Sequence, residues 1–138
     1  MKAKRIQKLL IANRGEIALR IHRSASEMGI QTVAIFSDVD RCAPYVLNAN
    51  EAYPLYGNLS KETYLDIDKI IDVAKKAQCD AIHPGYGFLS ENPDFVEATV
   101  SNGMTFIGPP VSAMKALGGK TSARDLSGGT ITFTFTSP

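Results

Sequence analysis

Positions 83–92 read His-Pro-Gly-Tyr-Gly-Phe-Leu-Ser-Glu-Asn and place an imidazole, a phenol, a carboxylate and two glycines directly after a short apolar strand candidate, Asp80-Ala81-Ile82. The carboxyl end of a strand is the rim at which open parallel sheets bind ligands, and Gly85 and Gly87 would let main chain approach a ligand closely there. Tyr86 and Glu91 would then supply a hydroxyl and a carboxylate. The same residues also have a purely structural reading. The glycines supply positive φ angles, Phe88 and Leu89 fill a core, and Ser90 and Glu91 serve the start of the next helix. Spacing alone leaves both readings open. His83 precedes a proline, which holds it extended, and a lone histidine at a strand end is more often a hydrogen-bonded structural residue than a catalyst.

Three other stretches carry side chains with chemical potential. Gly118-Gly119-Lys120-Thr121 resembles the end of a phosphate-binding loop, but the GxxxxGK[ST] pattern needs its first glycine where Met114 stands. Lys120 can still neutralise a phosphate as a point charge, or simply be a solvated lysine. The turn Ala12-Asn13-Arg14-Gly15-Glu16 occupies the place of a dinucleotide fingerprint with one glycine, and Asp38 ends the next strand where a ribose ligand would stand, so a degenerate dinucleotide-binding domain is one alternative. Arg20, Arg23 and Glu27 form a polar helical stripe with an i,i+4 pair of opposite charge, which reads either as a solvated face or as a subunit contact. No serine or cysteine nucleophile with a matching base is evident, and no metal site is expected.

The elements that must position these residues follow from periodicity. The run from Lys8 to Asn13 reads as a strand, residues 16–28 as a helix closed by Gly29, and residues 32–37 as a second buried strand. Ile17, Ile21, Ala25 and Met28 recur at helical spacing and are expected to face the sheet. Strand, helix and strand within thirty residues define a right-handed parallel βαβ unit, so the fold class is α/β. Residues 38–61 read as irregular surface loops apart from a short strand around residues 52–55. Asp66 is placed to cap a helix bearing Ile67, Ile70, Ile71 and Ala74, and Asn92-Pro93 opens a further helix that Gly103 closes. Residues 104–108 form another strand candidate, and residues 112–117 a short helix.

The 138 residues, 44% of them hydrophobic, suffice for one core, and a formal net charge of +1 provides no field to gather nucleic acid or an anionic membrane. Cys42 and Cys79 show no CxxC or Cys/His spacing and read as reduced thiols of a cytosol-like compartment. The opening residues lack the long apolar region of a signal peptide, and no stretch reaches membrane-spanning length.

LIANRGEIALRI, SDVDR, TYLDIDKII, AIHPGYGFLSENPDF, FIGPP and ALGGKTSAR, in this order and spacing, resemble the amino-terminal part of biotin carboxylase over roughly residues 8–126. The resemblance implies a Rossmann-like open parallel sheet with helices on both faces, the domain that precedes an ATP-grasp region. It implies a ligase that uses ATP, Mg2+ and bicarbonate to carboxylate biotin on a carrier protein or domain, with a carboxyltransferase as further partner. Carried over by motif, His83, Gly85, Tyr86, Gly87 and Glu91 line the biotin side of the site and Lys120 contacts ATP. The family's usual Gly-Asp-Lys is Gly118-Gly119-Lys120 here. Arg20, Arg23 and Glu27 match the helix of the family's homodimer. The domain is expected over residues 1–126, with residues 127–138 a threonine- and phenylalanine-rich tail outside the family pattern, an edge strand or a foreign end. The fragment alone is expected to be inactive, with a non-catalytic dimerisation module as the other alternative. A cytoplasmic location is expected, or the mitochondrial matrix after removal of a transit peptide.

Overall fold

The computed structural model describes residues 5–108. Four residues of near-continuous apolar character, Lys8–Ile11, form β1, whose Leu9 and Leu10 are wholly buried. Helix α1 (Gly15–Glu27) leads to β2 (Gln31–Phe36), and the two strands pair in parallel from Lys8 opposite Gln31 to Ile11 opposite Ala34. The short helix α2 (Pro44–Asn48) precedes β3 (Glu51–Pro54), which lies beside β2 at the edge of the sheet. The chain then crosses by α3 (Ile67–Lys76) to β4 (Ala81–His83) on the far side of β1, and continues by α4 (Pro93–Ser101) to the two-residue β5 (Thr105–Phe106).

The strand order is therefore β3-β2-β1-β4-β5, all parallel. The chain lays its first three strands in one direction and its last two in the other. Right-handed crossovers traced in opposite directions put their helices on opposite faces, so α1 and α2 cover one face while α3 and α4 cover the other. Period-two alternation serves both faces: Leu9, Ile11, Ala34 and Ala81 pack toward Ala18, Ile21 and Ala25 of α1, whereas Leu10, Val33, Ile35 and Ile82 pack toward Ile70, Ala74 and Phe95.

The expected helix ends are present. Asp66 precedes α3 and its Oδ1 accepts the Lys69 N–H at 3.0 Å, and Asn92 caps α4 through the Asp94 N–H at 2.8 Å with Pro93 at the first helical position. Met28 departs from expectation: it is 51% exposed, because at the end of α1 the chain turns through Gly29 (φ +79°) and leaves the apolar stripe, whose buried members are Ala18, Ile21 and Ala25. Residues 38–61 are also more ordered than surface loops. They hold α2, β3 and two turns of 3₁₀ helix, Asp38–Asp40 and Ser60–Glu62, and they bury Asp40, Tyr45, Val46 and Leu55.

Replacing the α3 cap tests this local account. Asp66→Ala should lower stability by about 1 kcal/mol, read as an earlier urea midpoint with an unchanged slope.

Candidate functional site

β1 and β4 are neighbours that leave the sheet toward helices on opposite faces, so the crevice at their carboxyl ends is the topological switch point. The strand pairing runs past β1, since the Ala12 N–H donates to the His83 carbonyl at 2.9 Å. The next two residues, Asn13 and Arg14, send their side chains into two different networks.

Asn13 is buried, at 3% exposure. Its Nδ2 donates to the Pro84 carbonyl at 2.8 Å and to the Tyr86 carbonyl at 2.7 Å, and its Oδ1 accepts the Arg14 N–H at 2.8 Å. Gly85 lies between the two carbonyls with φ +68°, and a Cβ there would stand 2.7 Å from Asn13 Nδ2. The glycine is thus required twice, by its backbone angle and by the approach of the amide. Gly87 has φ +73° and open space where a Cβ would be. Both glycines meet the structural reading, and both lie on the rim that the ligand reading needs.

Tyr86 is 67% exposed and Glu91 is also exposed, while Leu89 is buried. Phe88 is not the core residue expected. It has φ +43° and remains partly exposed, with its ring tilted against Tyr64 at 5.2 Å between centroids. A positive φ in a phenylalanine carries strain of about 1–3 kcal/mol, which the surrounding contacts must hold in place. Glu91 does not cap the following helix; Asn92 does.

His83 is half-buried at the end of β4, and its Nδ1 accepts the Gly85 N–H at 3.0 Å. Burial disfavours the imidazolium and lowers the pKa from 6.5 to about 4. The neutral ring thus acts as an acceptor that shapes the loop, in agreement with the structural reading.

Arg14 reaches the other way. Its Nε and Nη2 each donate to Asp40 at 2.6 Å, in a bidentate pair in which the arginine side chain is 47% exposed and the carboxylate 8%. Asp40 also accepts from the Tyr64 hydroxyl at 2.6 Å and from Ser37 Oγ at 3.3 Å. The guanidinium holds the Asp40 carboxyl below its usual range, against the opposing effect of burial, and the carboxylate raises the arginine in turn. Tyr64 Oη accepts the Ser37 N–H at 2.9 Å and lies 2.7 Å from Tyr45 Oη, which is also 3.0 Å from the Ile35 carbonyl. Two hydroxyl protons serve three contacts, so with that of Tyr64 on Asp40 the proton of Tyr45 is shared. Burial pushes both phenols upward in pKa, keeping them protonated.

The remaining expected site residues are dispersed. Arg20, Arg23 and Glu27 lie exposed along α1, away from the rim loop, and the ion pairs among the described residues are Lys8–Glu51 and Arg14–Asp40 rather than Arg23–Glu27. Asp38 accepts the Gly57 N–H at 3.3 Å, so the residue expected to hold a ribose is engaged with its own loop. With one glycine in the first turn, the dinucleotide reading is not favoured. Lys120, the Gly118-Gly119 pair, the helix expected over residues 112–117 and the tail lie outside the described residues. Cys42 is exposed and Cys79 buried, the latter thiol pushed up to about 12 by burial, and neither is in a disulfide.

Among the described residues, a five-stranded parallel sheet with a glycine loop clamped at its switch point defines a Rossmann-like α/β domain. Residues 5–114 match the family described as biotin carboxylase, N-terminal domain, and the chain belongs to that family. It is 50% identical over 126 residues to the mitochondrial methylcrotonoyl-CoA carboxylase subunit alpha of Dictyostelium discoideum, covering 91% of this chain and 18% of that protein. It is 50% identical over 120 residues to biotin carboxylase 1 of Bacillus subtilis (strain 168), covering 87% of this chain and 27% of that protein. The fold matches the crystal structure of Kluyveromyces lactis urea carboxylase with a TM-score of 0.83 and 49% identity, over 87% of this chain and 11% of the other. A complete multifunctional pyruvate carboxylase from Rhizobium etli gives 0.79 and 47%, over 87% and 12%. The chain thus spans between 18% and 27% of the two sequence relatives.

The histidine generates a pH prediction. A folded-state pKa depressed from 6.5 to about 4 means that the unfolded chain takes up the proton first. Its contribution is therefore full above pH 6.5, declines as pH falls toward 4 and levels below that. For a half-buried ring the loss should be about 1–3 kcal/mol. His83→Asn, whose Oδ1 can replace Nδ1 as acceptor, should shrink the decline over this window in urea titrations and leave the part due to His22, whose imidazolium is likewise disfavoured by burial and by the Arg23 charge. Asp40 has the depressed-carboxylate sign, and its contribution is lost only below 3.8, so the two windows separate.

Proposed function

We propose that this domain forms the amino-terminal part of a biotin carboxylase active site in a full-length enzyme. In that reaction a bicarbonate oxygen attacks the γ-phosphorus of ATP and ADP leaves. The carboxyl group of the resulting carboxyphosphate then passes to a ureido nitrogen of biotin as phosphate departs and the nitrogen gives up its proton. The observation that carries this reading is the 83–92 loop, fixed at the switch point with Tyr86 exposed and Gly87 unobstructed on the rim. In this assignment Gly85, Tyr86, Gly87 and Glu91 form the biotin-side wall, His83 holds that wall's conformation and Lys120 contacts a phosphate of ATP.

Magnesium, which would offset phosphate charge, belongs to the full enzyme. Among the described residues no group of three or more His, Cys, Asp or Glu is arranged to hold a metal ion, and none is assigned to it. Further partners in this reading are a biotin carrier protein or domain and a carboxyltransferase. A second copy of the enzyme would meet the exposed stripe of Arg20, Arg23 and Glu27. Among the described residues no helix is long and apolar enough to cross a membrane. A cytoplasmic or mitochondrial-matrix location belongs to this reading, one relative being named as mitochondrial.

The test is incorporation of labelled bicarbonate into free biotin by a full-length biotin carboxylase carrying residues 1–126 in place of its own. Incorporation should require ATP, with Lys120→Ala raising KM for ATP and Tyr86→Ala raising KM for biotin, each by roughly tenfold. ATP-independent or absent incorporation would overturn the proposal.

A further inference from the structure

Resting on the biotin-side reading of the loop, we infer that Asn13 and Tyr64 are positioning residues that hold its apex, Tyr86–Gly87, in the conformation that receives biotin. Both act from outside the loop. Asn13 lies two residues beyond β1, 71 and 73 residues from the carbonyls it binds. Tyr64 belongs to the segment before α3 and meets the loop through the ring of Phe88.

The amide of Asn13 suits this task in a way that few side chains would. Two carbonyls, two residues apart and both turned inward, need two N–H donors diverging from one buried atom, and a short side-chain amide provides them. The same side chain accepts the Arg14 N–H, which fixes which end of the amide is nitrogen. Closure of the loop around it is possible because Gly85 brings no Cβ to the 2.7 Å position beside Nδ2. Aspartate would set a carboxylate against both carbonyls, and glutamine would be one methylene too long for the space.

Tyr64 forms the second anchor. Its hydroxyl is held between the Ser37 N–H and the Asp40 carboxylate, so the ring on which Phe88 rests is fixed at its far end. Phe88 in turn adopts a left-handed φ of +43°, a conformation that persists only where its neighbours enforce it. Between the two anchors the loop presents the exposed Tyr86 ring and Gly87. Clamping at both flanks lets the apex meet a ligand without first losing loop entropy to it.

The test combines two readouts. In amide NMR spectra of the 138-residue chain, Asn13→Asp should shift the signals of residues 85–89. In a full-length biotin carboxylase carrying this domain, the same change should raise KM for biotin by about tenfold and leave KM for ATP unchanged. Phe88→Leu, which removes the ring that leans on Tyr64, should raise KM for biotin less, again without effect on ATP. If Asn13→Asp does not fold, Gly85→Ala disrupts the same clamp from the loop side, and the outcome should match. Unmoved loop amides would overturn the clamp. Moved amides with unchanged KM for biotin would instead overturn the biotin-side reading on which the inference rests.

Discussion

The Asp40 carboxylate is almost wholly withdrawn from water, and a charge so placed persists only because Arg14, Tyr64 and Ser37 all direct donors at it. Its carboxylate is worth less as a source of net stability than as a source of geometry. Desolvation offsets much of the Coulombic attraction in such a pair, whereas removing one partner leaves the other uncompensated. What the cluster supplies is a single permitted arrangement of three segments that are otherwise independent: the end of β1, the turn after β2 and the approach to α3. Arg14 comes from the first, Ser37 and Asp40 from the second and Tyr64 from the third. Tyr45 adds α2 by sharing its proton with Tyr64 and the Ile35 carbonyl.

Because β1 is the central strand, the residues just beyond it reach both of its neighbours at the carboxyl rim, the loop after β4 and the turn after β2. Asn13 and Arg14 are adjacent, so the side chains of an extended chain point apart, and one secures the β4 loop while the other secures the β2 turn. The two networks meet again through Phe88 on Tyr64, with the Arg14 guanidinium 6.0 Å from the centroid of the same tyrosine ring. The rim is thus a closed circuit of contacts, and a rigid rim is what a sheet needs if it is to hold one wall of a site whose other walls come from elsewhere. The strained φ of Phe88 sits within this circuit, where neighbours on both sides can sustain it.

The layout of the sheet was legible in the sequence because it rests on local signals. Alternation of apolar runs with helical periodicity located the strands, and Asp66, Asn92-Pro93, Gly29 and Gly103 marked helix ends through short-range stereochemistry. Met28 misled because periodicity extends a stripe without knowing where the backbone turns away. The glycine loop was visible as an anomaly, but the residues that hold it were not. Asn13 is separated from Pro84 by 71 positions and Arg14 from Asp40 by 26, and nothing about an asparagine after a strand or an aspartate in a polar stretch announces a partner at that distance. Tyr45 and Tyr64 were hidden for the same reason, since their burial arises only when both faces of the sheet are assembled.

The edge strand β3 has a property that bears on how this domain behaves among other copies of itself. Leu55 gives its N–H to the Phe36 carbonyl, so by alternation the main chain of Pro54 faces away from β2 on the outer border of the sheet. A residue there with no N–H costs the internal ladder nothing, yet it interrupts the row of donors that a strand from another molecule would need. At the opposite border β5 is two residues long, too short to be a template. Among the described residues the sheet is consequently guarded at both margins, by a proline in β3 and by the brevity of β5, against edge-to-edge pairing with another copy of itself.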